Sequence, residues 1–252
     1  MTVLYPEWTN RVIPMIAAGA LVGLIGCVTI VDRYFSPWNT DVGYAPDQPV
    51  PYSHKLHAGT LGIDCRYCHQ KVESGPHATI PSSETCISCH DRARIKGNSK
   101  RLAPVRDNFY DGKPLEWVRV HMLPEYAYFD HSVHLNAGVG CASCHGRIDR
   151  MEVVRQAKPL SMGWCISCHR APERHLRPRD KVTDMTYLHA DAYEDPEFSA
   201  DVEALRNAGK DVASMQREAL ATGMELKQQR GLNTTDRQQP QYPPTHCSAC
   251  HR

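Results

Sequence analysis

An excess of one charge is the first thing this sequence lacks. It carries 29 Lys and Arg against 28 Asp and Glu, a formal net charge of +1 over 252 residues. Such a balance provides no basic field to hold a phosphate backbone and argues for no nucleic acid among the partners. Aromatic residues are scarce as well: Phe occurs four times, and Phe, Trp and Tyr together make up 8%. That is thin for a chain long enough to form one large domain or two modest ones around a continuous apolar interior. Something other than side chains must fill it. With 23% charged and 41% hydrophobic residues the chain is not a disordered tail. What it has in excess is eleven Cys and fourteen His, a combination that carries metal, cofactor or disulfides.

Ten of the eleven cysteines fall into five identical frames: Cys65-Arg66-Tyr67-Cys68-His69, Cys86-Ile87-Ser88-Cys89-His90, Cys141-Ala142-Ser143-Cys144-His145, Cys165-Ile166-Ser167-Cys168-His169 and Cys247-Ser248-Ala249-Cys250-His251. Each reads as an attachment site for haem c. Two thiols separated by two residues match the span between the porphyrin vinyl groups and add across them as thioethers, and the adjoining histidine is then held under the iron as proximal ligand. The competing reading is zinc, because Cys65 and Cys68 with Cys86 and Cys89 also fit a four-cysteine ribbon. His occupies 14 of 252 positions, so five frames all followed by His arise by chance roughly five times in ten million, and a zinc ribbon does not need that histidine. The fifth frame also stands alone, with no second cysteine pair to complete a tetrahedral site. Five covalent haems are therefore expected.

Along the chain, residues 1–11 form a short polar head, and residues 12–31 run without a formal charge. Twenty such residues span a bilayer core as one transmembrane helix. Pro14 falls near its first turn, where proline is tolerated, and Gly19 and Gly23 place small residues on one face. Leu24-Ile25-Gly26-Cys27 has the form of a lipoprotein cleavage box, but the span reads as a retained anchor with Cys27 as a small apolar side chain. Residues 32–51 hold Pro37, Pro46, Pro49 and Pro51 and read as an extended tether.

An internal repeat follows. Tyr52-Ser53-His54-Lys55-Leu56-His57 precedes Cys65, and Phe129-Asp130-His131-Ser132-Val133-His134 precedes Cys141. In each copy a second frame lies 21 or 24 residues after the first. Two dihaem modules are expected at 52–116 and 117–175. Histidines three apart on a helical turn face one way, so His54, His57, His131 and His134 are the expected distal ligands, one of each pair reaching its module's first haem and the other a neighbouring haem. The bland alternative is histidines at the surface or against propionates. For the fifth haem, His77, His121, His189, His246 and Met162 compete as distal ligands, with His77, His121 and Met162 carried forward as candidates. Residues 176–245 form a helical strap: Asp195-Pro196 opens like a capped helix, apolar residues recur at helical spacing up to Gly231, and Gly209 breaks it in two. The fifth haem site occupies 246–252.

The stretches 52–90 and 117–169, with Arg119-Val120-His121-Met122-Leu123-Pro124 and Ser161-Met162-Gly163-Trp164-Cys165, closely resemble the pentahaem cytochrome c subunit of alternative complex III, a bacterial quinol:electron-acceptor oxidoreductase. The resemblance covers roughly half the chain densely and matches least over 176–245. It implies docking on an iron-sulfur subunit and on polytopic membrane subunits that hold the quinol site, with a monohaem cytochrome c or a terminal oxidase as acceptor. Haem c is attached outside the bacterial cytoplasm, so the expected location is the inner membrane, single-pass, with the haem domain on the periplasmic side.

The expected fold is that of a multihaem cytochrome c: mostly short α-helices and loops packed around haems, little sheet, and one N-terminal transmembrane helix. The expected function is an electron-carrier subunit, not catalytic alone. No frame has an altered proximal residue that would mark an open iron for substrate. The alternative is a membrane-anchored multihaem quinol dehydrogenase of the NapC type, which touches quinol itself.

Overall fold

The structure, a computed structural model, describes residue 6, residues 8–232 and residues 243–251. It divides into two compact units, the residues up to Val42 and those from Gly43 onward.

The first unit is built on one long helix, α1 (Thr9–Phe35). Its most apolar window has a mean hydropathy of 2.2, and the helix is long and apolar enough to cross a membrane. It begins earlier than the apolar run, because the Pro6 carbonyl accepts from the Thr9 backbone N–H (3.0 Å) and hydroxyl (2.6 Å). Pro14 consequently lies inside the helix rather than at its first turn. At the other end Asn39, from the short helix α2 (Pro37–Thr40), donates to the Asp32 carbonyl at 3.0 Å and accepts from Arg33 at 3.3 Å. The same carbonyl accepts from the Ser36 backbone N–H at 3.2 Å, so two donors meet at the end of α1.

The second unit contains short helices and loops. Among the described residues its only β pairing is two isolated antiparallel bridges, Ala127 with His251 and Val139 with Leu176. In chain order the helices are α3 (Cys65–Cys68), α4 (Ser83–His90), α5 (Ala103–Asp111), α6 (His131–Asn136), α7 (Cys141–His145), α8 (Met162–Arg170), α9 (Ser199–Asn207), α10 (Val212–Gln229) and α11 (Cys247–Cys250). All five cysteine frames start on a helix, α3, α4, α7, α8 and α11, so the two thiols of each frame, three residues apart, stand on one helix face. The helical signal of the C-terminal third resolves into α9 and α10 on either side of Gly209, whose φ of +71° is the left-handed backbone that ends a helix. Asp195 caps the turn before α9 by accepting from the Glu197 backbone N–H.

Buried apolar side chains gather in small groups: Ala142, Met185, Ala192 and Phe198 in one, Val50, Ile87 and Val105 in another. These are minor cores for a unit of this size. Around the frames, large apolar side chains instead stand exposed, among them Leu61, Tyr67, Ile80, Met122, Tyr126 and Tyr128. A sparse interior and exposed apolar side chains are what a protein wrapped around flat apolar groups presents.

Charged side chains tie the unit together instead. The buried Arg147 guanidinium is held by Asp149 at 2.7 Å and by Asp201 of α9, Lys158 bonds Asp195 at 2.5 Å, and Arg155 bonds Glu197 at 2.8 Å. These pairs clamp residues 147–158 to residues 195–201.

Candidate functional site

Three of the five frames offer their histidine in one tautomer. The Nδ1 atoms of His69, His90 and His169 meet the backbone carbonyls of Thr79 (2.7 Å), Ile95 (2.9 Å) and Pro244 (2.6 Å). A backbone carbonyl can only accept, so Nδ1 carries the hydrogen and Nε2 is left with a free lone pair, as a metal-bound imidazole requires. His57, His131 and His134 are set the same way, against the carbonyls of Ser53 (2.8 Å), Pro76 (2.7 Å) and Asp130 (2.7 Å).

These rings come together in pairs. His57 lies 6.1 Å from His90 between ring centroids, His131 lies 6.4 Å from His145, and His134 lies 6.0 Å from His169. Two imidazoles bound trans on one metal, each at about 2 Å from Nε2, have centroids roughly 6 Å apart. His54 stands close enough to His69 for the two to interact electrostatically. Burial is the main cause that lowers His54 to about 4 and His145 to about 3, and it also lowers His134, so these rings are neutral at pH 7.

The frames adjoin one another in a fixed spatial order. The Cys68 thiol is within electrostatic range of Cys89, Cys65 hydrogen-bonds Cys141, Cys144 adjoins Cys165 and Cys168, and Cys165 adjoins Cys250. The spatial sequence is therefore second, first, third, fourth, fifth. All eleven thiols are free. Burial pushes Cys144 and Cys168 up to about 12, which makes neither a ready thiolate of the kind zinc selects. Among the described residues no three His, Cys, Asp or Glu side chains converge as a metal cluster. The donor set fits porphyrins carried on thioethers with two axial histidines, and it does not form a zinc ribbon.

The remaining candidates are scattered. His77 is exposed, and among the described residues no other histidine ring packs on it. Met162 is exposed in the first turn of α8. His246 is exposed and caps α11, its carbonyl accepting from Ala249. His189 is fully buried, but its Nδ1 accepts from Arg177 at 3.0 Å and its neighbours are the rings of His175 and Phe198. His121 meets His145, Nε2 to Nδ1 at 3.3 Å. The fifth frame docks against residues 126–128: Cys250 accepts from the Tyr128 backbone N–H at 2.8 Å, and the Tyr126 ring lies 5.4 Å from that of His251.

Two residues absent from the sequence-based expectations shape the site. Tyr52 packs edge-on to His54 (4.8 Å, 83°) and flat on His57 (4.5 Å, 18°), while Phe129 repeats both contacts on His131 (4.7 Å, 86°) and His134 (4.5 Å, 28°). One aromatic ring thus fixes both histidines of a pair. The signal was available, since an aromatic residue stands two positions before the first histidine in both copies.

No family model matches the chain. The chain is similar to a multihaem cytochrome c. That relative, "Menaquinone reductase, multiheme cytochrome c subunit" of Nitratidesulfovibrio vulgaris, is 30% identical over 99 residues, which are 39% of this chain and 46% of the relative. The match spans less than half the length of either protein.

Proposed function

We propose that this chain is the pentahaem electron-transfer subunit of a membrane quinol:electron-acceptor oxidoreductase, of the alternative complex III kind. The observation that carries the reading is the set of histidine pairs about 6 Å apart beside the cysteine frames, with Nδ1 turned to backbone carbonyls. Haem c supplies one-electron chemistry. Cys65/Cys68, Cys86/Cys89, Cys141/Cys144, Cys165/Cys168 and Cys247/Cys250 hold the five porphyrins, and His69, His90, His145, His169 and His251 are the proximal ligands. His54, His57, His131 and His134 are assigned distal to His69, His90, His145 and His169 respectively. The continuous spatial order of the frames, from the second to the fifth, suits a relay whose two ends face other redox centres.

The relative's name ties it to a quinone-linked complex, which supports iron-sulfur and polytopic quinol-binding subunits as this chain's partners. A monohaem cytochrome c or terminal oxidase is the proposed acceptor. Helix α1 is the proposed anchor in the bacterial inner membrane, with the haem domain on the periplasmic side.

Mass spectrometry of the denatured full-length chain should show five haem additions. A C-terminal peptide with unmodified Cys247 and Cys250 would remove the fifth site. The purified subunit should be reduced by dithionite yet show no appreciable quinol oxidation until the iron-sulfur and polytopic subunits are restored. Rapid reduction of the single subunit by a quinol would overturn the relay reading in favour of the NapC-type quinol dehydrogenase.

A further inference from the structure

We infer that His121 is a positioning residue for the third haem site, the acceptor that orients proximal His145, and not an iron ligand. The inference rests on the haem reading above. Three other proximal histidines, His69, His90 and His169, turn Nδ1 to a backbone carbonyl. His145 instead turns Nδ1 to a side chain, the Nε2 of His121, 3.3 Å away, with the two rings perpendicular at 86° and their centroids 4.4 Å apart.

The geometry separates the two roles. An iron between two imidazoles needs centroids roughly 6 Å apart, and 4.4 Å leaves no room for it. The matching spacing belongs to His131, 6.4 Å from His145 with the ring planes within 6° of parallel. His121 also addresses Nδ1, the nitrogen that a proximal ligand does not give to iron. With His145 Nε2 committed to the metal, its Nδ1 carries the hydrogen and donates it to His121 Nε2.

The local chain explains why a side chain takes this place. Gly146 (φ +66°) turns the backbone directly after His145, and Arg147 is then bound by Asp149 and Asp201. No carbonyl from that stretch accepts from the ring, whereas Ile95 reaches back to His90 from five residues on. The loop that carries His121 closes the gap, its own carbonyl accepting from Arg119 Nε at 3.1 Å.

An acceptor on Nδ1–H raises the basicity of the bound imidazole, and removing outer-shell partners of this kind typically costs about 10–100-fold in metal affinity or activity. A more basic ligand favours ferric over ferrous iron, so losing the acceptor raises the potential of that haem.

The test uses the full-length holoprotein with His121→Phe and His121→Gln, followed by redox titration and spin-state spectra. In the Phe variant all haems should stay low-spin while one midpoint moves upward, lowering the oxidised-to-reduced ratio of that haem at a fixed potential. The Gln variant, whose side-chain carbonyl can accept, should move the midpoint back toward the parent value. A high-spin haem in either variant would make His121 a ligand and overturn the inference, as would unchanged midpoints in the Phe variant. If the Phe variant does not accumulate, the fully reduced, diamagnetic parent labelled with 15N-histidine decides: a nitrogen–nitrogen coupling across the His145–His121 bond is expected, and its absence overturns the proposal. A chain without haem on Cys141 and Cys144 would instead refute the underlying haem reading.

Discussion

Replacing His134 with alanine is expected to turn one of the five proposed haems from low to high spin and leave the others unchanged. His134 is the most fully specified of the proposed distal ligands. Its Nδ1 is held by the Asp130 carbonyl at 2.7 Å, its ring lies flat on Phe129 at 4.5 Å, and it faces His169 with centroids 6.0 Å apart. In the proposed site, removing the imidazole while keeping the thioethers of Cys165 and Cys168 would leave that iron with one protein ligand and an open position. The reduced protein should then bind carbon monoxide at one haem, and added imidazole should restore the low-spin spectrum. Attachment should be unaffected, since alanine is a good helix former inside α6. A spectrum that stays wholly low-spin, with no carbon monoxide binding, would remove His134 from the ligand set.

The second large effect concerns stability. Arg147 is 4% exposed and bridges Asp149 and Asp201, themselves 12% and 19% exposed. Arg147→Met keeps most of the volume but leaves two half-enclosed carboxylates, of which Asp201 retains Arg150 at 2.6 Å and Asp149 loses its guanidinium. Breaking a buried pair from one side costs about 3–5 kcal/mol, a fall in Tm on the order of 10 °C for a chain of this length. Arg66→Met is the control. Arg66 bonds Asp64 at 2.9 Å and Glu73 at 3.1 Å, but it is 43% exposed, so its loss should cost about 1 kcal/mol or less. Thermal melts followed by circular dichroism would compare the two. Equal shifts would mean that the 147–201 clamp does not hold the unit together.

The degree to which the site could be read from sequence follows the distance over which each part is written. A frame such as Cys165-Ile166-Ser167-Cys168-His169 is complete within five residues, so no folding knowledge is needed to find it. The His-x-x-His pairs emerge from the repeat, because two copies of one local pattern are visible side by side. The break at Gly209 is equally local, a left-handed residue between two amphipathic stretches. What sequence does not reveal is every contact made by the chain returning from afar. His121 meets His145 across 24 positions, Pro76 accepts from His131 across 55, and Pro244 accepts from His169 across 75. These depend on loops with no periodicity and on apolar clusters too small to announce themselves in composition. The boundary of α1 was obscured for a different reason: the Pro6 carbonyl, outside the apolar run, starts the helix.

The hold of Pro244 on His169, together with the docking of Cys250 on Tyr128, has a consequence for biogenesis. A chain made from its N-terminus presents its parts in order. His69 and His90 find the carbonyls that hold Nδ1 only 10 and 5 positions further on, whereas the carbonyl for His169 lies 75 positions further on. The orientation of the His169 ring therefore waits on the same segment that carries the Cys247 frame. A ribosome that stops short of that segment loses the Cys247 frame and also leaves the His169 ring without the carbonyl that orients it.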